Sequence, residues 1–258
     1  MLYIYLIIIF IFGLLIGSFL NVVIFRLETE EKIVNDRSRC PNCKHILSWK
    51  DLFPVLSYVF LKGKCRYCQK KISIQYPLVE LMTASFFVLI FSYFFSVTEK
   101  YFVANIIFYF FVISVFIVIS VYDLRHYIIP DKVIYTAIII TALFNFIFFN
   151  SIFFNHLFSA IVAFGFFLTI IILTKGQGMG GGDAKLGFLM GLILGWPLVF
   201  LAIFFASVSG SIVGMALIIG KKKKIKSMIP FGPFLIFGTV LSIFYGEEIV
   251  RWYFDLFL

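Results

Sequence analysis

Eight long apolar runs, separated by polar loops, constrain the fold of this 258-residue chain more than any other feature. The first run, residues 2–25, contains no Lys, Arg, Asp or Glu, and as a helix it can cross about 30 Å of hydrocarbon. The other runs are residues 77–97, 101–122, 133–149, 152–174, 184–194, 198–219 and 229–245. A composition of 62% hydrophobic and 14% charged residues excludes a soluble globular protein. We therefore predict an all-α polytopic membrane protein with about eight transmembrane helices.

The distribution of basic residues predicts the topology. Alternate loops, beginning with residues 26–76, hold 20 of the 22 Lys and Arg residues, and only Lys100 and Arg251 fall on the opposite side. By the positive-inside rule, the basic side is cytoplasmic and both termini lie outside. The short run 184–194 counts as a span because without it the lysines at 221–224 would lie outside. The net charge of +9 is thus a signal for topology and lipid headgroups, and no nucleic-acid partner is expected.

The one sizeable polar segment, residues 26–76, contains all four cysteines. They form two CxxC pairs with 21 residues between them, a spacing that can close a tetrahedral four-thiolate zinc site. Disulfides are the alternative, but the cytoplasm is reducing, and neighbouring basic residues suit thiolates bound to a metal. Four thiolates leave no coordination position open, so we expect a structural zinc rather than a catalytic one. The predicted ligands are Cys40, Cys43, Cys65 and Cys68.

Four acidic residues lie in or beside the predicted spans, where ionisable groups are functional candidates. Asp123 ends a helix, where the macrodipole disfavours an anion, so helix stability does not explain it. Asp131 opens a helix after Pro130, a position at which a capping carboxylate is expected for structural reasons alone. Glu80 lies just inside the second span, and Asp183 follows a run of glycines.

Asp183 ends the glycine-rich turn 178–183, in which Gly180 and Gly182 allow close approach of the backbone. Taken alone, Asp183 could simply cap the next helix. The inferred topology, however, puts Asp123 and Asp183 on the same membrane face, at the ends of two helices that can pack together. Two close carboxylates share a proton and can activate a water against a peptide carbonyl while protonating the leaving amine. The pair is therefore suited to the chemistry of an aspartic protease.

These motifs follow the order of a known family. The whole chain resembles the bacterial type IV prepilin peptidases, bifunctional membrane aspartyl proteases of the GxGD type. The similar stretches are residues 17–26, the two CxxC pairs, residues 51–57, 63–66 and 76–81, Asp123 with residues 129–131, and residues 178–186 and 229–235. An isolated GxGD motif is weak evidence, whereas this ordered set, which runs from the first span to the last, is very specific.

The resemblance implies an activity and a set of functional residues. It implies that Asp123 and Asp183 cleave the basic leader of type IV prepilins and pseudopilins, proteins of pili and protein secretion, at the cytoplasmic face of the inner membrane. It also implies methylation of the new N-terminal amine, with S-adenosylmethionine as the methyl donor. In the family, the positions of Gly63 and Lys64 are associated with this methylation. Glu80 would receive a positive group of the leader or the new amine, or else be a polar residue satisfied within the helix bundle.

On this interpretation the chain has three parts: a first transmembrane helix, 1–25; a cytoplasmic zinc-binding domain, 26–76; and a membrane-embedded aspartyl protease domain of about seven helices, 77–258. Two alternatives use the same residues differently. An ion-coupled transporter would bind its ion with Asp123 and Asp183, although such sites usually lie at the bilayer midplane. A membrane scaffold would recruit a partner through its zinc domain. A peptidase without methyltransferase activity is also compatible with the sequence.

Overall fold

A computed structural model describes residues 2–29, 37–96, 101–176, 178–220 and 229–257. Most of these residues are helical, and the described part of the chain contains no β-strand beyond two isolated bridges. The helices are α1 (Leu2–Thr29), α2 (Leu56–Phe60), α3 (Gln75–Ser96), α4 (Phe102–His126), α5 (Asp131–Phe148), α6 (Asn150–Leu173), α7 (Gly181–Leu194), α8 (Leu198–Ile219) and α9 (Gly232–Phe257). The prediction of an all-α fold is confirmed.

Seven of these helices have at least 18 residues and are apolar enough to cross a membrane, namely α1, α3, α4, α5, α6, α8 and α9. They correspond to seven of the eight apolar runs, which confirms a polytopic membrane protein. The remaining run forms α7, whose 14 residues extend only about 21 Å, less than the hydrocarbon core of about 30 Å. An eighth complete crossing stays a prediction. The topology also stays a prediction, because it depends on lysines 100 and 221–224, which lie outside the described residues.

Polar side chains from α5 and α6 supply hydrogen-bond partners for backbone groups at the C-terminal end of α7. A helix end leaves four carbonyl groups without partners, and inside a membrane each such group costs several kcal/mol. Asn145 Nδ2 donates to the Leu192 carbonyl oxygen over 2.6 Å, and His156 Nδ1 lies 2.7 Å from the same oxygen. Just beyond the helix, Asn155 Oδ1 accepts the Trp196 N–H at 2.8 Å. These contacts allow a helix too short to cross the bilayer to end inside the protein.

Close packing of α7 against α6 depends on two glycines four residues apart. A β-carbon at Gly191 would overlap the backbone of Ala160, and one at Gly187 would overlap the ring of Phe167. Small residues at this spacing let membrane helices approach until their backbones touch. The two glycines thus allow α7 to pack directly against α6, and this packing also positions the glycine-rich turn that precedes α7.

The chain divides into two compact units, Met1–Val118 and Ile119–Leu258. In the first unit, α1 packs closely on α3, because a β-carbon at Gly17 would overlap the backbone of Glu80. The second unit contains the end of α4 and all of α5 to α9. The three-part division expected from the sequence stays a prediction.

Candidate active site

Asp123 lies in the last two turns of α4 and is buried, with 4% of its surface exposed. Its Oδ2 atom accepts a hydrogen bond of 3.0 Å from the backbone N–H of Gly232, the first residue of α9. The N-terminal end of a helix stabilises a negative charge, so α9 offsets the unfavourable end of α4. A β-carbon at Gly232 would lie 2.7 Å from Oδ2, so a larger residue there would displace the carboxylate. One carboxylate thus joins the end of α4 to the start of α9.

Asp183 is the third residue of α7. Its Oδ2 atom accepts a hydrogen bond of 3.2 Å from the N–H of Gly180, so the carboxylate caps the start of its own helix. The same carboxylate is close enough to that of Asp123 for the two to repel each other when both are charged. A capping role explains the hydrogen bond, but it does not explain a second acid beside the first. The structure brings together the two aspartates that the sequence singled out.

Ile129, in the connection between α4 and α5, fills the space beside these helix ends. Its side chain is buried. A β-carbon at Gly182 would lie 3.0 Å from Ile129 Cβ, and one at Gly232 would lie 3.6 Å from Ile129 Cδ1. The glycine-rich turn and the start of α9 therefore pack on the same side chain. As a consequence, the end of α4 and the starts of α7 and α9 meet at one place.

Asp131, the first residue of α5, makes a different contact. Its Oδ1 atom lies 2.6 Å from Nζ of Lys185 in α7, and that Nζ atom lies 4.9 Å from the centre of the Tyr135 ring. The Asp131 side chain is 63% exposed, so this ion pair contributes at most about 1 kcal/mol. The carboxylate thus joins the start of α5 to α7, and the capping role expected from the sequence stays a prediction.

A cavity of about 330 Å³ lies between α8 and the start of α9. Its lining residues are Ser207, Gly210, Ser211, Ile229, Phe231 and Phe234. Phe231 immediately precedes Gly232, the residue that binds the Asp123 carboxylate. Ile229, Phe231 and Phe234 form an apolar part of the wall and two serines form a polar part, so the cavity can receive an apolar group beside a polar one.

The thiols of Cys40, Cys43, Cys65 and Cys68 form a cluster in the first unit, and all four are free. Their Sγ atoms lie within 4.8 Å of one another, and Cys40 Sγ is 3.9 Å from Cys68 Sγ. A tetrahedral ion with metal–sulfur bonds of about 2.3 Å separates its sulfur ligands by about 3.8 Å. The observed spacing therefore suits a metal ion held by four thiolates.

Both cysteine pairs are built on the same backbone turn. In each pair the N–H of the first cysteine, Cys40 or Cys65, bonds to the carbonyl oxygen five residues later, at 2.9 Å in both cases. The residue after each second cysteine, Lys44 or Gln69, has a positive φ and turns the chain back. This repeated turn directs the four thiols toward one point.

Asp51 connects the segment between the cysteine pairs to the second pair. Its buried carboxylate accepts hydrogen bonds from Arg66 Nε at 2.8 Å, Ser48 Oγ at 2.8 Å and the Tyr67 hydroxyl at 3.2 Å. Burial alone would raise the pKa of Asp51, but the bonds from Arg66 and Ser48 outweigh burial and hold that pKa below its ordinary value. Arg66 and Tyr67 are the two residues between Cys65 and Cys68, so ionised Asp51 stabilises this turn.

Glu80, Gly63 and Lys64, which the resemblance ties to substrate or methylation, also lie in the first unit. Glu80 is buried, and its Oε2 atom accepts a hydrogen bond of 2.7 Å from the N–H of Val55. Gly63 has a φ of +67°, and a β-carbon there would lie 3.1 Å from the Tyr58 ring, so the turn itself requires glycine. Lys64 is exposed beside it. The functional roles of these three residues stay predictions.

Sequence reasoning assigned no role to Gly232 or Ile129, although both lie in stretches that resemble the family. A Gly–Pro pair just before an apolar run does indicate a helix start at which another group can approach closely. That signal could have identified Gly232 as a contact residue. Ile129 gives no such signal, because an isoleucine before a proline is an ordinary feature of a connecting segment.

Comparisons with known proteins agree with this geometry. A family described as Bacterial Peptidase A24 N-terminal domain matches residues 11–94, and the Type IV leader peptidase family matches residues 109–215. A prepilin leader peptidase/N-methyltransferase of Bacillus subtilis (strain 168) is 33% identical to this chain over 97% of the chain and 98% of its own length. The protein of the same name from Aeromonas hydrophila is 30% identical, over 99% and 96% respectively. No solved structure matches the chain significantly.

A helical membrane bundle with two neighbouring carboxylates at helix ends has the arrangement expected of a membrane aspartyl peptidase. The chain belongs to the type IV leader peptidase family. The family resemblance is thereby confirmed, and with it the expectation that the protein is an enzyme. Membership in a peptidase family does not favour the transporter and scaffold alternatives.

The cysteine cluster predicts a bound metal. We expect the purified protein to contain about one tetrahedrally coordinated metal ion per chain, and Cys40→Ser or Cys65→Ser to remove most of it, because each change takes away one of four ligands. Inductively coupled plasma mass spectrometry measures the metal content. Ser38→Ala, in the same turn as Cys40, is the control that should keep the metal. Unchanged metal content in both cysteine variants would contradict the prediction.

Proposed function

We propose that this protein is an aspartic endopeptidase that removes the basic leader from type IV prepilins and pseudopilins and then N-methylates the new N-terminal residue. The names of its relatives, prepilin leader peptidase/N-methyltransferase, support this substrate class and both activities. The observation that carries the peptidase proposal is that Asp123 and Asp183 lie on two sides of one side chain. Ile129 packs against Gly232, whose N–H binds Asp123, and against Gly182, which precedes Asp183.

In this mechanism the two carboxylates act as one unit. Their repulsion favours a state in which they hold one proton between them. The charged member takes a proton from the water that attacks the scissile carbonyl, while the protonated member donates a hydrogen bond to the carbonyl oxygen. A proton then passes from the pair to the leaving amine. The Gly232 N–H, which binds Asp123 Oδ2, orients that carboxylate during these steps.

The two active-site glycines serve Asp183 in different ways. The Gly180 N–H donates to Asp183 Oδ2 and so fixes the carboxylate at the start of α7. Gly182 permits the close contact with Ile129, against which any side chain at this position would press. The close packing explains the second glycine of the GxGD sequence, whereas any residue with a backbone N–H could make the bond that Gly180 donates.

The proposed substrates combine a basic leader in the cytoplasm with an apolar helix in the bilayer. The bond between these parts lies at the membrane boundary, where helix ends such as those carrying Asp123 and Asp183 are expected. We assign the cavity between α8 and α9 to the first apolar side chain after the scissile bond. Its wall includes Phe231, one residue from the Gly232 that holds Asp123.

Zinc is the metal that we propose for the four cysteines, because zinc favours tetrahedral thiolate sites. Such an ion has no open coordination position, so its role is to hold the cysteine turns in their fold. S-adenosylmethionine, when bound, would supply the methyl group for the new amine. The described residues of the cysteine domain, 26–76, form cysteine turns and short helices rather than a nucleotide-binding α/β fold. Gly63 and Lys64 are therefore assigned to methylation only through the family resemblance.

The proposed location is the inner membrane, with both termini outside and the cysteine domain in the cytoplasm. This orientation rests on the charge distribution, since 20 of 22 Lys and Arg residues fall in alternate loops on one side. A leader that carries basic residues would then approach a basic face. Local acids, chiefly Asp123 and Asp183, would have to attract it against that field.

Asp123→Asn and Asp183→Asn should each lower the rate of leader cleavage by about 10²–10⁴-fold, the usual contribution of a positioned acid–base group. The measurement is the rate at which the protein, reconstituted in lipid vesicles, shortens a purified prepilin. Asp131→Asn is the matched control, because its carboxylate binds Lys185 at the surface, and we expect a near-normal rate. Near-normal cleavage by either Asp123→Asn or Asp183→Asn would contradict the catalytic assignment.

Gly210→Leu should fill the cavity and select against substrates with a large first residue. We expect cleavage of a prepilin with Phe after the scissile bond to fall, and cleavage of the same prepilin with Ala there to be largely kept. Gly165→Leu is the matched control, because no atom lies within 4 Å of a β-carbon at Gly165. If Gly210→Leu slows both substrates equally, the cavity does not hold this residue.

A further inference from the structure

The apolar segment, residues 49–60, exposes much hydrophobic surface. Trp49 is 68% exposed, Phe53 49%, Val59 63% and Phe60 80%. These side chains lie close together in sequence, and Trp49 and Phe53 are in ring contact, with 5.7 Å between their centres. A patch of neighbouring large apolar side chains on a domain surface marks a site of interaction with another protein or a membrane.

A hydrogen bond defines the depth of this segment. The N–H of Val55 donates to Glu80 Oε2 in α3 over 2.7 Å. Glu80 is the sixth residue of α3, about 7.5 Å along the helix from Gln75. Because helical side chains lean toward the N-terminus, the carboxylate lies somewhat nearer the start of α3. Val55 is thus level with the first turns of a membrane-spanning helix, not beyond its end.

The length of α3 relates this position to the bilayer. Its 22 residues extend about 33 Å, barely more than the hydrocarbon core of about 30 Å. The first turns of α3 must therefore lie near the boundary between the headgroups and the acyl chains. A segment attached at the level of those turns lies at the same boundary, where amphipathic segments bind membranes.

The backbone at Val55 indicates that this attachment is specified by the fold. Val55 has a φ of +59° and a ψ of −49°, and the Leu56 N–H bonds to the Pro54 carbonyl oxygen, which together form the strained type of γ-turn. A β-branched residue avoids positive φ, so surrounding contacts must hold it there. The Glu80 carboxylate is one such contact, because it accepts the N–H of the strained residue itself.

The charge around the apolar segment complements an anionic membrane. Residues 37–74 contain nine Lys or Arg residues and one acidic residue, Asp51. Within the segment, Lys50 Nζ lies 5.6 Å from the centre of the Trp49 ring, and Lys62 follows shortly after its end. Basic residues beside Trp, Phe and Leu are typical of segments that lie in the membrane interface.

We propose that the apolar segment, residues 49–60, inserts into the headgroup–acyl boundary of an anionic bilayer beside α1 and α3. The apolar segment then holds the cysteine domain on the membrane surface. This contact adds to the two ends of the domain, which continue into the membrane helices α1 and α3. Glu80 is a positioning residue in this arrangement, since its bond to Val55 fixes the depth of the segment. Attachment at the level of a transmembrane helix favours lipid over a soluble protein partner, which could not readily reach that depth.

Tryptophan quenching tests the proposal in the full-length protein. Trp196→Phe with Trp252→Phe leaves Trp49 as the only tryptophan, and the protein is reconstituted in vesicles of phosphatidylcholine and phosphatidylglycerol. We expect phosphatidylcholine brominated near the start of its acyl chains to quench most of the Trp49 emission, and aqueous iodide to quench little of it. With Trp49→Phe added, Lys70→Trp, in the exposed turn of the second cysteine pair, is the control that iodide should reach.

The opposite pattern overturns the proposal. If iodide quenches Trp49 and brominated lipid does not, the apolar segment faces water. If iodide is excluded only after a prepilin is added, the surface binds protein rather than lipid, and the proposal is wrong. Equal quenching of the Trp49 and Lys70→Trp reporters by brominated lipid would also overturn it, because the contact would then not be specific to residues 49–60.

Glu80 variants test the positioning role separately. In the Trp49-only protein, Glu80→Ala removes the acceptor for the Val55 N–H and should increase quenching by iodide, whereas Glu80→Gln keeps an acceptor oxygen and should change it less. The metal content of the cysteine cluster reports whether the domain is still folded. A folded Glu80→Ala variant with unchanged quenching by lipid and iodide would show that Glu80 does not set the depth of the segment.

Discussion

The hydrogen bond from the Gly232 N–H to the Asp123 carboxylate is the contact on which the geometry of the second unit depends. A buried carboxylate at the end of α4 is disfavoured by the macrodipole of its own helix, and the start of α9 compensates for it. Ile129 packs against both Gly232 and Gly182, so the turn before α7 is drawn to the same point. Three helix ends are therefore held together by one polar bond and one apolar side chain.

The short helix α7 follows from the same requirement that buried polar groups have partners. It begins at the glycine-rich turn that carries Asp183, and it ends after 14 residues, well short of a full crossing. Asn145 and His156 bind the carbonyl oxygen of Leu192 near its far end, which makes the early termination tolerable within the membrane. Gly187 and Gly191 then allow α6 to support it along its length.

The sequence was sufficient to predict the parts of the fold that depend on hydrophobicity and spacing. Apolar runs define helices directly, and two CxxC pairs predict a four-thiolate cluster, because both signals are local. The pairing of Asp123 with Asp183 was inferred from topology, and its catalytic role stays a prediction. The bond from Gly232 to Asp123 and the bond from Val55 to Glu80 were not predicted. Each joins residues far apart in the chain, and its donor is a backbone N–H, which every residue except proline has, so the side chains of the sequence do not indicate it.

The central claim is that this chain both removes a prepilin leader and methylates the amine that cleavage exposes. Intact-protein mass spectrometry of a purified prepilin, incubated with the reconstituted protein in the presence and absence of S-adenosylmethionine, tests it most directly. The account predicts loss of the leader mass in both samples and a gain of one methylene only where the methyl donor is present. A prepilin whose mass is unchanged in both samples, despite a folded and metal-loaded protein, would contradict it.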